Sequence, residues 1–273
     1  MRTIKYTLSG IIYCCLLFAI SISAHAQRLP AVQKDPLRAP ANVKIDGKAT
    51  EWGQYQAYNK ATVVYYSIAN DNENLYLLVK AEKANMIKKS IMAGITLIIN
   101  RSAKKNDTLG QVSITFPLIP RKEQFRINED VDKMHRDVKD TASMSRRADT
   151  LMRLANKDID ATSKLILIKG VKDIADTLVS IYNEENVQAS SRFDNKMNYI
   201  YELSVPLKYL GFSMDKRGPF AYHVKLNGAS SRYVYEGSFT IRYVNGQQTI
   251  SGNQINQDWV NTTDFWGEYT LIK

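Results

Sequence analysis

Groups that carry covalent and metal chemistry are scarce in this sequence. Of 273 residues, two are cysteine and three are histidine. Cys14 and Cys15 both fall within the first 26 residues, in an apolar stretch, and the chain after Ala26 has neither a disulfide nor a thiol. His135 and His223 are the histidines beyond that point, far apart and without the spacing of a zinc site. No GxSxG, HExxH or phosphate-cradling glycine loop occurs. Any two of the many acids could be assembled into a glycosidase pair, but nothing selects one. The reading is therefore non-enzymatic, with a hydrolytic role in carbohydrate catabolism ranked last. A long hydrophobic run is also missing. The longest apolar stretch, Ile11 to Ile22, is about a dozen residues, against the roughly 20 needed to cross a bilayer.

That stretch has another use. It follows the short positive start Met1-Arg-Thr-Ile-Lys5 and ends in Ala24-His25-Ala26, the pattern of a cleavable signal peptide. The expectation is export, with cleavage near Ala26 and a periplasmic, extracellular or cell-surface destination, and no permanent membrane span. The formal charge is +10, and loss of Arg2 and Lys5 leaves +8. Outside the cytoplasm this surplus does not point to nucleic acid; it fits solubility or an acidic envelope partner.

Residues 27–41 hold three prolines and no periodicity, and read as an extended lead-in, with a single domain over 42–273. From Val43 the dominant pattern is period-two alternation of β-branched and aromatic residues between Asn, Asp and Gly clusters. Thr62 to Ala69 and Leu75 to Glu82 flank the turn Asn70-Asp71-Asn72-Glu73-Asn74 as a hairpin. Further strands are expected at Ile95 to Asn100, Gln111 to Phe116, Lys164 to Lys169, Leu178 to Tyr182, Asn198 to Val205, Ala221 to Asn227, Tyr233 to Val244 and Trp266 to Ile272. In Tyr199 to Val205 the odd positions are apolar, so Glu202 and Ser204 are expected on a wet face. Ten or so short strands predict a mostly β fold, an antiparallel, jelly-roll-like β-sandwich. Between Phe125 and Ile159 the apolar spacing turns helical, at Ile127, Val131, Met134, Val138, Ala148, Leu151, Ala155 and Ile159. Two helices inserted at about 122–160 fit it.

The opening "VKIDGKATEWGQ" from Val43 resembles that of family 9 carbohydrate-binding modules. Asp46-Gly47 supplies a tight turn, and Trp52 folds back as an apolar plug. "NENLYLLVKAE" from Asn72, "GITLIIN" from Gly94, "YIYELSVPLKYLGF" from Tyr199 and "DFWGEYTLIK" from Asp264 are similar to later pieces of the family, in its order. The helical insertion departs from its pattern. The resemblance implies a β-sandwich that clasps a sugar with aromatic and polar side chains. It implies no catalytic cofactor, though calcium is known in the family in a structural role.

An aromatic ring among amides on a loop suits a sugar, whose C–H face packs on the ring while its hydroxyls need polar partners. Trp259 in "NQINQDWVNTTD" has that setting, with Asn256, Gln257 and Asn261 beside it. Trp266 precedes Gly267 in the closing strand, where an aromatic is structural in the family, and is a second candidate. Tyr65 and Tyr66 occupy adjacent strand positions, so one faces outward; Tyr66 is taken as the platform residue. Asp71, Glu73 and "NEDVD" from Asn128 offer oxygens to a hard cation but lack the spacing of a calcium loop. Two partner classes follow: a glycan or small polar ligand on the loop aromatics, or an envelope protein held by the basic helical insertion.

Overall fold

The computed structural model describes residues 28–105, 110–136, 142–174, 177–215, 217–229, 239–244, 247–252 and 257–273. The expected signal segment lies outside them. Thirteen strands appear among these residues. Sheet A runs in the order β1 (Ala57–Asn59), β2 (Val64–Asn70), β3 (Asn74–Ala81), β9 (Tyr199–Pro206), β8 (Gln188–Phe193). Sheet B runs β13 (Thr263–Thr270), β10 (Pro219–Leu226), β4 (Ile95–Asn100), β5 (Val112–Phe116), β6 (Leu165–Lys169), β7 (Leu178–Ser180). Every pairing within the two sheets is antiparallel. The protein is an antiparallel β-sandwich. A hairpin of β11 (Phe239–Val244) and β12 (Gln247–Gly252) pairs with itself.

Alternation sets the core. Tyr66, Ile68, Leu75, Leu77, Val79, Tyr201, Leu203 and Val205 from sheet A meet Leu97, Ile99, Ile114, Phe116, Tyr222, Val224 and Phe265 from sheet B, all in one buried cluster. Burial of so many branched and aromatic side chains, worth about 1.5–3 kcal/mol each, is the main favourable term. At the centre the hydroxyls of Tyr66 and Tyr222 lie 3.0 Å apart, and the Tyr66 hydroxyl also accepts the Gln33 N–H at 2.9 Å.

Helix α1 (Ala84–Ala93) joins β3 to β4, and α2 (Arg121–Arg136) and α3 (Ala142–Thr162) lie between β5 and β6. The last two match the predicted insertion. Their inner stripe, Ile127, Val131, Met134, Ala155 and Ile159, is fully buried in the main core, so the insertion closes the sandwich instead of hanging from a loop. Arg126 pairs with Asp158 at 2.7 Å across the two helices. Short helices α4 (Leu207–Leu210) and α5 (Gln257–Val260) complete the described elements. No helix among the described residues is long and apolar enough to cross a membrane.

One expectation gains detail here and one is corrected. The lead-in is extended but firmly attached: Gln33 makes two hydrogen bonds of 2.8 Å to the Ile68 backbone, and Arg38 bridges to Asn70. And Glu202 and Ser204 are not wet, at 1% and 5% exposure. The outer face of sheet A is covered by residues 37–55, which form a second apolar cluster. There Trp52 packs on Tyr76, Leu78 and Ile200.

Candidate functional site

The strap over sheet A is held at one polar point. Glu202 Oε2 accepts the backbone N–H groups of Asp46 (3.1 Å) and Gly47 (2.6 Å), and Oε1 accepts the Trp52 indole N–H (2.9 Å). Gly47 has φ +78°, and a Cβ there would stand 2.7 Å from Arg192 Cγ. The Asp46-Gly47 turn is therefore both a left-handed backbone and a close approach, which glycine alone tolerates easily. Burial pushes the Glu202 carboxyl up to about 7, against the donors that favour its ionised form.

The strap covers only part of the face. One row further along the strands, Tyr76, Ser204 and Gln188 stand side by side on β3, β9 and β8 by register, the first two buried and Gln188 exposed. They lie in a cleft of about 1230 Å³. Val43 and Ile45 of the strap form one wall; Leu207 and Lys208 of α4, with Phe212 to Asp215, form another. Asn72 and Asn74 from the β2–β3 turn, Asn186 ahead of β8, and Arg38 and Lys273 complete the rim. Phe212 stacks on Phe220 with centroids 4.6 Å apart, which fixes its ring in the wall. The turn is rigid because Asp71 accepts the N–H groups of Glu73 (2.8 Å) and Asn74 (2.6 Å) and the Tyr76 hydroxyl (2.6 Å). This concavity is open to solvent on one side, so a ligand would lie along it and not be enclosed. Its amides and hydroxyls both donate and accept, as a polyhydroxylated molecule requires.

Tyr66, Trp259, Trp266 and Asn261, the residues selected from sequence whose side chains are described, do not line this cleft. Tyr66 is fully buried between the sheets, against Phe265 at 4.5 Å, and is no platform. Tyr65 is the neighbour that faces outward, beside Tyr58 (4.7 Å) and under the Lys80 ammonium (4.3 Å). Trp266 lies on the outer face of sheet B, stacked on His223 at 4.1 Å. His223 Nε2 is 3.2 Å from an Asp264 carboxylate oxygen, and burial holds its pKa below the ordinary imidazole value.

Trp259 sits in α5, half-buried, with the Lys88 ammonium 4.8 Å from its ring centroid, and its carbonyl accepts the Ala229 N–H at 2.7 Å. Its indole Nε1 is buried without a hydrogen-bond partner among the described residues. It lies near the Leu226–Thr263 end of sheet B, whereas the cleft's Phe212 packs at the opposite, Phe220 end. Asn261 is exposed just beyond it; Asn256 lies outside the described residues, as does the side chain of Gln257. Lys88 is paired with Asp132, and Glu129 with Lys133, so two of the three "NEDVD" acids serve helix contacts. Among the described residues no group of three or more His, Cys, Asp or Glu is arranged to hold a metal ion.

Sequence reasoning missed the cleft because its floor is assembled by register. The signal that existed was the Asn-rich turn, read as a hairpin turn and for the oxygens of Asp71 and Glu73, not for its amides. The chain matches no known protein family, and no curated protein matches it.

Proposed function

We propose that this chain is an exported, non-catalytic binding protein whose ligand is a glycan or another polar, hydroxyl-rich molecule, held in the cleft on the outer face of sheet A. The observation that carries it is the exposed Gln188 amide at the end of the row Tyr76, Ser204 and Gln188, rimmed by Asn72, Asn74 and Asn186 and backed by the Phe212 ring. A rigid sheet bearing amides and hydroxyls, with an apolar wall for a sugar's C–H face, is the chemistry such a ligand needs. The order of motifs resembling family 9 carbohydrate-binding modules supports the same reading, as does the secretory pattern at the N-terminus. The site is moved from the loop of Trp259 to the cleft. Calorimetric titration of the full chain with an oligosaccharide panel tests this. Gln188→Ala and Asn74→Ala should each weaken binding about 5- to 10-fold, the value of one or two lost hydrogen bonds. Binding indifferent to both would refute the site.

A further inference from the structure

The outward face of the helical insertion has a composition the fold does not need. On α3, Arg146, Arg153 and Lys157 are exposed and have no ion-pair partner among the described residues. At 100° per residue they fall within about 40° of one another, a single stripe roughly 16 Å long. Lys122, exposed on the neighbouring α2, adds a fourth cation. Against them stand Asp149, Asp160, whose carboxylate is already held by Arg192 at 3.3 Å, and on α2 the exposed Glu129 and Asp132, held by Lys133 and Lys88. Two large apolar side chains are exposed on the same pair of helices: Phe125 at 48% and Leu154 at 45%. Both helices bury their other stripe in the core, so this cationic and apolar face is displayed on a rigid base.

We propose that the outward face of the α2–α3 insertion docks peripherally on an anionic lipid surface. Four clustered cations on helices match the density that anionic lipid headgroups attract. The exposed Phe125 and Leu154 decide the class of partner, because a dissolved polyanion offers them nothing, whereas the headgroup–acyl boundary receives such side chains. This contact is independent of the ligand cleft, which lies on the outer face of sheet A.

The test is flotation of the full chain with vesicles of phosphatidylcholine alone and of phosphatidylcholine mixed with phosphatidylglycerol, at low and high salt. Binding should require the anionic lipid and weaken with salt. Each cation contributes about five-fold near such a surface. The triple variant Arg146→Glu, Arg153→Glu, Lys157→Glu should therefore lower partitioning by at least about 100-fold. The control Lys34→Glu, Lys60→Glu, Lys104→Glu makes the same net-charge change away from the insertion and should alter it only a few-fold. Phe125→Ser with Leu154→Ser should remove the binding that survives high salt. Far-UV circular dichroism checks that these surface variants remain folded. Equal binding to neutral vesicles, equal loss in the control, or capture by soluble polygalacturonate in place of vesicles would each overturn the proposal.

Discussion

Replacing Glu202 by leucine probes the polar point that fastens the strap. The carboxylate is 1% exposed and accepts three N–H groups, from Asp46, Gly47 and Trp52. Leucine fills similar space but leaves those donors without an acceptor. A buried donor that loses its partner costs about 1–3 kcal/mol. Two of the three belong to one turn and can share incoming water, and removing a buried charge recovers part of the loss. A destabilisation of about 3–4 kcal/mol is therefore expected. Denaturant unfolding followed by far-UV circular dichroism measures it, with near-UV circular dichroism reporting the environment of Trp52. Trp52→Phe keeps the plug and drops one N–H, for about 1 kcal/mol. In the double variant the two losses should fall short of additivity by about 1 kcal/mol, since both remove the same bond. A Glu202→Leu loss below about 1 kcal/mol, or strict additivity, would refute the fastening role.

Three further outcomes follow from the same contacts. Because the folded carboxyl of Glu202 titrates near 7, above its ordinary 4.5, the native state binds the extra proton between those values. Stability should then fall as pH rises from about 4.5 to 7 and level off above, relative to Glu202→Gln, which carries no such titration; parallel pH profiles would contradict it. The comparison with Glu202→Gln also cancels His223, whose lowered pKa works in the opposite direction. Gly47→Ala should destabilise by about 1–3 kcal/mol through its positive φ and the approach to Arg192, with an unchanged unfolding midpoint as the contrary result. Tyr66→Phe removes the hydroxyl shared with Tyr222 and Gln33 and should cost about 1–2 kcal/mol in denaturant unfolding; a neutral effect would mean that the hydroxyl contributes nothing to the core.

The strands were legible because burial on one face imprints alternation locally. Ile95–Asn100 was expected at its observed ends, and most others lay within a few residues. Helix α1 was not legible: its centre is Lys88-Lys89, and both lysines are buried, one against Asp132 and one on Thr263 at 2.9 Å. Adjacent tyrosines at 65 and 66 fit either face, so alternation alone could not orient them. Glu202 looked wet because its cover comes from a strap about 150 positions away in sequence, and local pattern carries no record of that. The cleft was hidden for the same reason: Tyr76, Ser204 and Gln188 become neighbours only through the pairing of β3, β9 and β8.

The proposal stands most directly on where a glycan touches the chain. A calorimetric titration comparing wild type, Gln188→Ala and Trp259→Ala with one binding oligosaccharide decides it. The cleft account predicts an affinity about 5- to 10-fold weaker for Gln188→Ala and near wild type for Trp259→Ala. Loss of binding in Trp259→Ala with Gln188→Ala unaffected would contradict it and return the site to the loop before β13.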